Sequence, residues 1–165
     1  MNNPFKELEI KGVFLARAEI HSDTRGWLCE TFRADWLADL GLKDLHPAMG
    51  YVSLTNPGVV RGPHDHRFQT DCFAFIGPSD FKIYLWDNRA DSPSFKTHLQ
   101  LVLGASAPGI LLVPPGVVHA YKNIGNEPGL VHNYPDKLFR GWDRKEAADE
   151  IRYEDDPQSP FQIET

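Results

Sequence analysis

The sequence predicts an all-β domain, a barrel or sandwich with short peripheral helices, and three observations carry that reading. Thirteen glycines and thirteen prolines punctuate the 165 residues, so that the chain falls into short apolar pieces. Hydrophobic residues make up 41 % and charged residues 24 %, the balance of a globular chain. No apolar run approaches the roughly 20 residues needed to span a membrane. The length suits one domain covering residues 1–165.

The elements follow in order. Leu8 to Phe32 reads as two extended pieces, LEIKGVFLARAEIH and GWLCETF, around the turn signal Ser22–Gly26. Asp35–Leu42 predicts a short helix that Gly41 stops. Met49–Leu54 predicts a strand, and Asn56-Pro57-Gly58 a turn. Further strands are expected at Asp71–Ile76, Asp80–Asp87, Lys96–Val102, Gly109–Val113, Ala120–Ile124 and Leu130–Asn133, with Pro or Gly in most gaps. Lys145–Ile151 is expected to make one or two helical turns. No repeat, low-complexity tract or linker interrupts the chain.

A net charge of −6 without a lysine- or arginine-rich stripe argues against unaided nucleic-acid binding. It leaves room for a phosphate-bearing small molecule held by a few arginines. Cys29 and Cys72 lack C-x-x-C spacing and are expected to be reduced thiols. The start, MNNPFKELEI, lacks the apolar stretch of a secretory signal, so a cytoplasmic protein with no membrane partner is the expectation.

Two clusters carry the chemistry. The first runs from Gly58 through Arg61, His64 and His66 to Gly77, and the second is Pro114-Pro-Gly116-Val-Val-His119-Ala-Tyr-Lys-Asn123. They resemble the two signature motifs of the cupin superfamily, G-x5-H-x-H-x3,4-E-x6-G and P-x-G-x2-H-x3-N. The acidic position falls on Thr70 or, one later, on Asp71. The resemblance implies a cupin jelly roll, a double-stranded barrel. On an extended segment His64 and His66 project from one face, and the Pro-x-Gly turn aims His119 at the same place. Three neutral imidazoles could bind a divalent transition metal, with Asp71 or Gln69 as fourth ligand. Because the usual glutamate is missing, the favoured reading is that they line a metal-free cavity, with the metal as the alternative.

The resemblance narrows to one family. Asp23-Thr-Arg25-Gly26-Trp-Leu-Cys-Glu30, Gly58-Val-Val-Arg61-Gly62-Pro-His64, Pro114-Pro-Gly116-Val-Val-His119 and Ile151-Arg-Tyr-Glu-Asp-Asp156-Pro157 are similar, in order, to segments of dTDP-4-dehydrorhamnose 3,5-epimerases. That likeness implies a homodimeric nucleotide-sugar enzyme without metal or redox cofactor. It would abstract a proton beside a 4-keto group and return one to the opposite face. By the family pattern His64 would be the base, Asp156 its orienting partner, and His119 part of the sugar site. Arg25 and Arg61 would hold the diphosphate, and Glu30 would meet the nucleotide base. An aspartate bonded to one ring nitrogen fixes the tautomer of such a base, and a planar guanidinium offers paired donors to phosphate.

Three positions depart from the pattern. Phe68–Gly77 contains no lysine, the family's helper for enolate charge. The general-acid tyrosine position falls on His132, with Tyr134 two residues on, so either is a candidate acid. His66 stands where a glutamine is usual. Two other readings therefore stand beside an epimerase or ketoisomerase of a nucleotide-linked 4-keto-6-deoxy sugar. One is a metal-dependent cupin using His64, His66 and His119; the other is a non-catalytic sugar-nucleotide binding module.

Overall fold

Residues 4–42 and 45–163 are described by the structure, a computed structural model. Its strands are β1 (Phe5–Glu7), β2 (Phe14–Arg17), β3 (Ile20–Asp23), β4 (Gly26–Cys29), β5 (Tyr51–Thr55), β6 (Val60–Asp65) and β7 (Asp71–Gly77). They continue as β8 (Asp80–Asp87), β9 (His98–Gly104), β10 (Gly109–Val113), β11 (Val117–Asn123), β12 (Gly129–Asn133) and β13 (Ile151–Arg152). A short helix, α1 (Ala34–Asp39), lies between β4 and β5. It ends just before Gly41, whose φ of +75° suits a glycine at a helix exit.

The strands form a six-stranded sheet in the order β1-β2-β10-β7-β12-β5, a five-stranded sheet in the order β13-β6-β11-β8-β9, and the separate hairpin β3–β4. Every pairing is antiparallel. Strand alternation builds the core between the two large sheets. Phe73 and Phe75 of β7, Phe81, Ile83 and Leu85 of β8, Leu111 and Val113 of β10, and Val131 of β12 all turn inward. Their neighbours Cys72, Ala74, Ile110 and Leu112 face the other way and pack under Leu37 of α1. The architecture is the predicted double-sheet barrel with a short peripheral helix.

One expectation needs correction, and one strand goes beyond the expected set. Lys145–Ile151 forms no helix; a single 3-10 turn at Trp142–Arg144 precedes it and β13 follows. The Asp149 carbonyl bonds the His66 ring, and its carboxylate accepts the N–H groups of Arg67, Phe68 and Gln69. Those bonds to another segment replace the local ones that a helix needs. Val60–Asp65 is a full strand although Gly62-Pro63 breaks its apolar pattern, because β11 pairs with it on one side and β13 on the other.

One buried charge cluster ties the barrel together away from the pocket. Asp87, 2 % exposed at the end of β8, accepts hydrogen bonds from Arg89 Nε, Arg89 Nη2, Ser92 Oγ and Ser94 Oγ. Burial alone would raise its carboxyl, but the Arg89 guanidinium and the two hydroxyls outweigh this and hold it below the usual range. Asp87→Ala is expected to cost about 3–5 kcal/mol in chemical denaturation, because it strands a partly buried guanidinium. The sign of the pH effect follows from the depressed value. The stabilisation is complete above about pH 4, the ordinary carboxyl range, and is lost as pH falls through the lower folded value. The variant should therefore lose less stability on acidification than the parent.

Candidate active site

A cavity of about 630 Å³ opens between β5, β6, β11 and the segment leading to β13. Its wall carries Tyr51, Ser53, Arg61, His64, His66, Phe73, Tyr121, Arg144, Asp149 and Arg152. Register brings the histidines together: His119 of β11 pairs with His64 of β6, and Arg152 of β13 flanks His64 on the other side. The two rings meet edge to face at 4.5 Å between centroids, and His66 lies 5.8 Å from each. Gly62 permits the approach. A Cβ there would sit 2.6 Å from the His119 carbonyl oxygen and 3.1 Å from His64 Nδ1, at a φ of +84°.

Asp71 reaches the cluster from the opposite sheet. Only 1 % exposed, it places Oδ2 3.2 Å from His66 Nε2 and 3.4 Å from His119 Nε2. Its Oδ1 accepts from Gln69 Nε2 at 2.9 Å and from Asn133 Nδ2 at 2.8 Å. Asn133 also donates to the Tyr51 hydroxyl at 3.0 Å. The Tyr121 hydroxyl shares a hydrogen bond with Ser53 Oγ.

The three imidazoles differ in charge. Burial, reinforced by His119 and His66, pushes His64 down to about 2, so its ring is neutral. Burial likewise lowers His119. For His66 burial is outweighed by its hydrogen bond to Asp71, the Asp71 charge and the Asp149 carbonyl, which lift it to about 9. Burial raises Tyr51 to about 12, which keeps its phenol protonated. The His64 ring and the Tyr51 phenol both line this one pocket.

The predicted residues divide into those brought together and those kept apart. His64, His66, His119 and Arg61 converge, with His119 buried behind the other two rings at 3 % exposure. Arg61 is steadied by Thr55 Oγ1 at 2.9 Å and the Leu54 carbonyl at 3.0 Å. Arg25 sits on the exposed tip of the β3–β4 hairpin, bound to Asp23. Glu30 pairs with Arg33 at 3.0 Å in a separate groove of about 360 Å³. Within one chain neither reaches Arg61, because the hairpin carries both away from the barrel pocket.

Asp156 and the two candidate acids require correction as well. Asp156 is exposed, and its carboxylate accepts the Gln158 N–H at 2.9 Å, the usual use of an aspartate before proline in a turn. It is not a partner of His64. His132 and Tyr134 do share a face, but Val131 and Asn133 are the residues turned inward. Tyr134 packs on Phe32 and bonds Thr31 Oγ1 at 2.7 Å on the outer side of the sheet. Sequence reasoning missed Tyr51, Tyr121, Asn133 and Asp149. Only alternation within Tyr51-Val-Ser53 and Val131-His-Asn133 hinted at them.

With this geometry in view, the comparison with known proteins is direct. The profile of the dTDP-4-dehydrorhamnose 3,5-epimerase family matches residues 7–157. The chain belongs to this family. A "probable low-salt glycan biosynthesis epimerase", Agl13 of Haloferax volcanii, is 34 % identical over 122 residues, covering 73 % of this chain and 75 % of that protein. The spore coat polysaccharide biosynthesis protein SpsL of Bacillus subtilis is 31 % identical over 121 residues, 72 % of this chain and 75 % of that one. Among solved structures, a dTDP sugar isomerase from Desulfovibrio desulfuricans superposes with a TM-score of 0.79 at 24 % identity, over 95 % of this chain and 94 % of that one. This last likeness bears on the fold and agrees with a cupin jelly roll. In this family member His64 and Arg61 line the pocket, and the tyrosines that face it come from β5 and β11.

Proposed function

We propose that this epimerase-family protein inverts or isomerises a nucleotide-linked 4-keto-6-deoxy sugar by removing a proton beside the ketone, in the assembly of a cell-surface glycan. The observation that carries this reading is His64: a pocket-lining imidazole with no hydrogen-bond partner among the described residues, three positions after Arg61. Its free nitrogen takes the proton, and the carbon's electron pair moves into an enolate whose oxygen was the ketone. Tyr51 returns a proton. Its oxygen accepts from Asn133, so its own O–H remains available to give. Arg61, with Arg144 and Arg152 on the same wall, suits the diphosphate.

The experiment is solvent-deuterium exchange paired with product analysis on a dTDP-linked 4-keto-6-deoxy sugar. Tyr51→Phe is expected to keep exchange at the carbon beside the ketone and to stop inversion, while Tyr134→Phe keeps both. Loss of inversion in Tyr134→Phe but not in Tyr51→Phe would contradict the assignment.

The proposal includes a homodimer working in the cytoplasm, where Cys29 and Cys72 stay as free thiols. Trp27 and Leu28, 58 % and 62 % exposed on the β3–β4 hairpin, are apolar surface that a second copy would cover. The same contact would bring Arg25 to the partner's pocket. Sedimentation at micromolar concentration should give twice the chain mass, and Trp27→Glu should give a monomer. A monomeric parent chain would contradict this.

A further inference from the structure

We propose that His66 is held as an imidazolium on the pocket wall and supplies the fixed positive charge that stabilises the enolate. This rests on the epimerase reading above, for which it names the group that meets the developing charge.

The hydrogen bonds around the ring assign its protons. His66 Nδ1 meets the Asp149 carbonyl, which can only accept, so this nitrogen carries a hydrogen. His66 Nε2 lies 3.2 Å from Asp71 Oδ2 and 3.1 Å from Gln69 Nε2. The amide would favour a bare nitrogen and the carboxylate a protonated one. Gln69 Nε2 already donates to Asp71 Oδ1 at 2.9 Å, whereas Asp71 Oδ2 has no other donor among the described residues. The other nitrogen near it, His119 Nε2 at 3.4 Å, is bare, because His119 Nδ1 keeps its proton for the Val117 carbonyl 3.0 Å away. One proton therefore lies between His66 and Asp71. It belongs on the ring, since Asp71 Oδ1 accepts from both Gln69 and Asn133, and donors at a carboxylate favour its ionised form.

This ion pair is oriented. His66 lies on the cavity wall, while Asp71, 1 % exposed, lies behind it. The nearer charge to a bound sugar is therefore positive. The acidic groups on the same wall are spoken for or face water: Asp149 accepts the N–H groups of Arg67, Phe68 and Gln69, Glu150 accepts Arg152 Nε, and Glu154 is exposed. The titratable groups that face His66 are Asp71 of β7, Asp149 before β13, His64 of β6 and His119 of β11. Asp65 meets Tyr153 instead, and Tyr51 is reached only through Asn133.

His64 completes the argument. Its ring centre is 5.8 Å from that of His66, so a ketone whose neighbouring proton reaches His64 lies beside the cation. When His64 takes that proton, the carbon's electron pair moves onto the former ketone oxygen. His66 keeps both of its own protons and acts by charge alone. A charge fixed before the reaction stabilises such an anion without reorganising. No lysine lines the cavity, and its three arginines suit the diphosphate, which leaves the enolate to His66.

The test combines nitrogen-15 NMR of histidine-labelled protein with solvent-deuterium exchange into a dTDP-linked 4-keto-6-deoxy sugar. At pH 7 the His66 ring, assigned by its loss in His66→Gln, should show both nitrogens protonated. Exchange by His66→Gln, shown to be folded by circular dichroism, should fall about 10²-fold, the worth of one preorganised group at an oxyanion, with dTDP affinity within a few fold of the parent. Parent exchange should decline above about pH 9, where the ring loses its charge, and in Asp71→Asn the decline should begin at lower pH. Tyr51, raised to about 12, titrates above this window. Three results would overturn the proposal: a neutral His66 ring at pH 7, undiminished exchange in His66→Gln, or an alkaline decline that Asp71→Asn leaves in place. A folded parent chain without any exchange would remove the epimerase reading instead, and the NMR result would still decide the charge on the ring.

Discussion

His64→Asn is expected to lower solvent-deuterium exchange into a dTDP-linked 4-keto-6-deoxy sugar by about 10²–10⁴-fold, the usual worth of a positioned general base. Binding of dTDP should change by no more than a few fold. The asymmetry follows from where the ring sits. His64 lines the cavity and lies outside the three apolar clusters. No protein group among the described residues uses its nitrogens, so asparagine removes a proton acceptor without breaking a hydrogen bond. Its neighbours Arg61 and Arg152 remain to meet the diphosphate. A fall in exchange that merely tracks a fall in dTDP binding would make His64 a binding residue. Unchanged exchange would remove it from the mechanism.

Asp71→Ala is expected to be the most destabilising change in the histidine cluster, by about 3–5 kcal/mol in chemical denaturation. The carboxylate is 1 % exposed and satisfies Gln69 and Asn133 on one oxygen while facing His66 and His119 with the other. Truncation leaves buried donors without partners and removes the charge that holds the His66 proton. Asp71→Asn keeps the shape and one acceptor, so it should cost less than alanine. It should also lower the His66 pKa, which a histidine proton resonance would follow. The sign is fixed by the cause: the Asp71 charge raises the cationic form of His66, and its removal lowers it. An alanine variant within 1 kcal/mol of the parent would contradict this account of the cluster.

Much of this was legible because strand periodicity is a short-range rule. His64-Asp-His66 had to project both rings to one side once the segment was extended, and Gly62 and Gly116 marked the turns and close approaches around them. The failures share a different cause. Alternation says that His132 and Tyr134 share a face, but not which face. A strand shifted by one residue exchanges its whole inward set, and here Val131 and Asn133 took the inward places. Asp156 was placed by a C-terminal likeness, and the local turn with Gln158 claimed its carboxylate. Arg25 and Glu30 matched their motif, yet the hairpin that bears them folds away from Arg61 within one chain. Asp149 was hidden because its partners, Arg67 to Gln69, lie about eighty residues earlier in the chain. No local pattern encodes such a pairing.

The most direct test of the central claim is mass spectrometry of a dTDP-linked 4-keto-6-deoxy sugar incubated with the parent protein in D₂O. Proton abstraction by His64 predicts deuterium at a carbon adjacent to the ketone, accumulating with turnover and suppressed in His64→Asn. A substrate that binds yet returns with no deuterium from the folded parent enzyme would contradict the account.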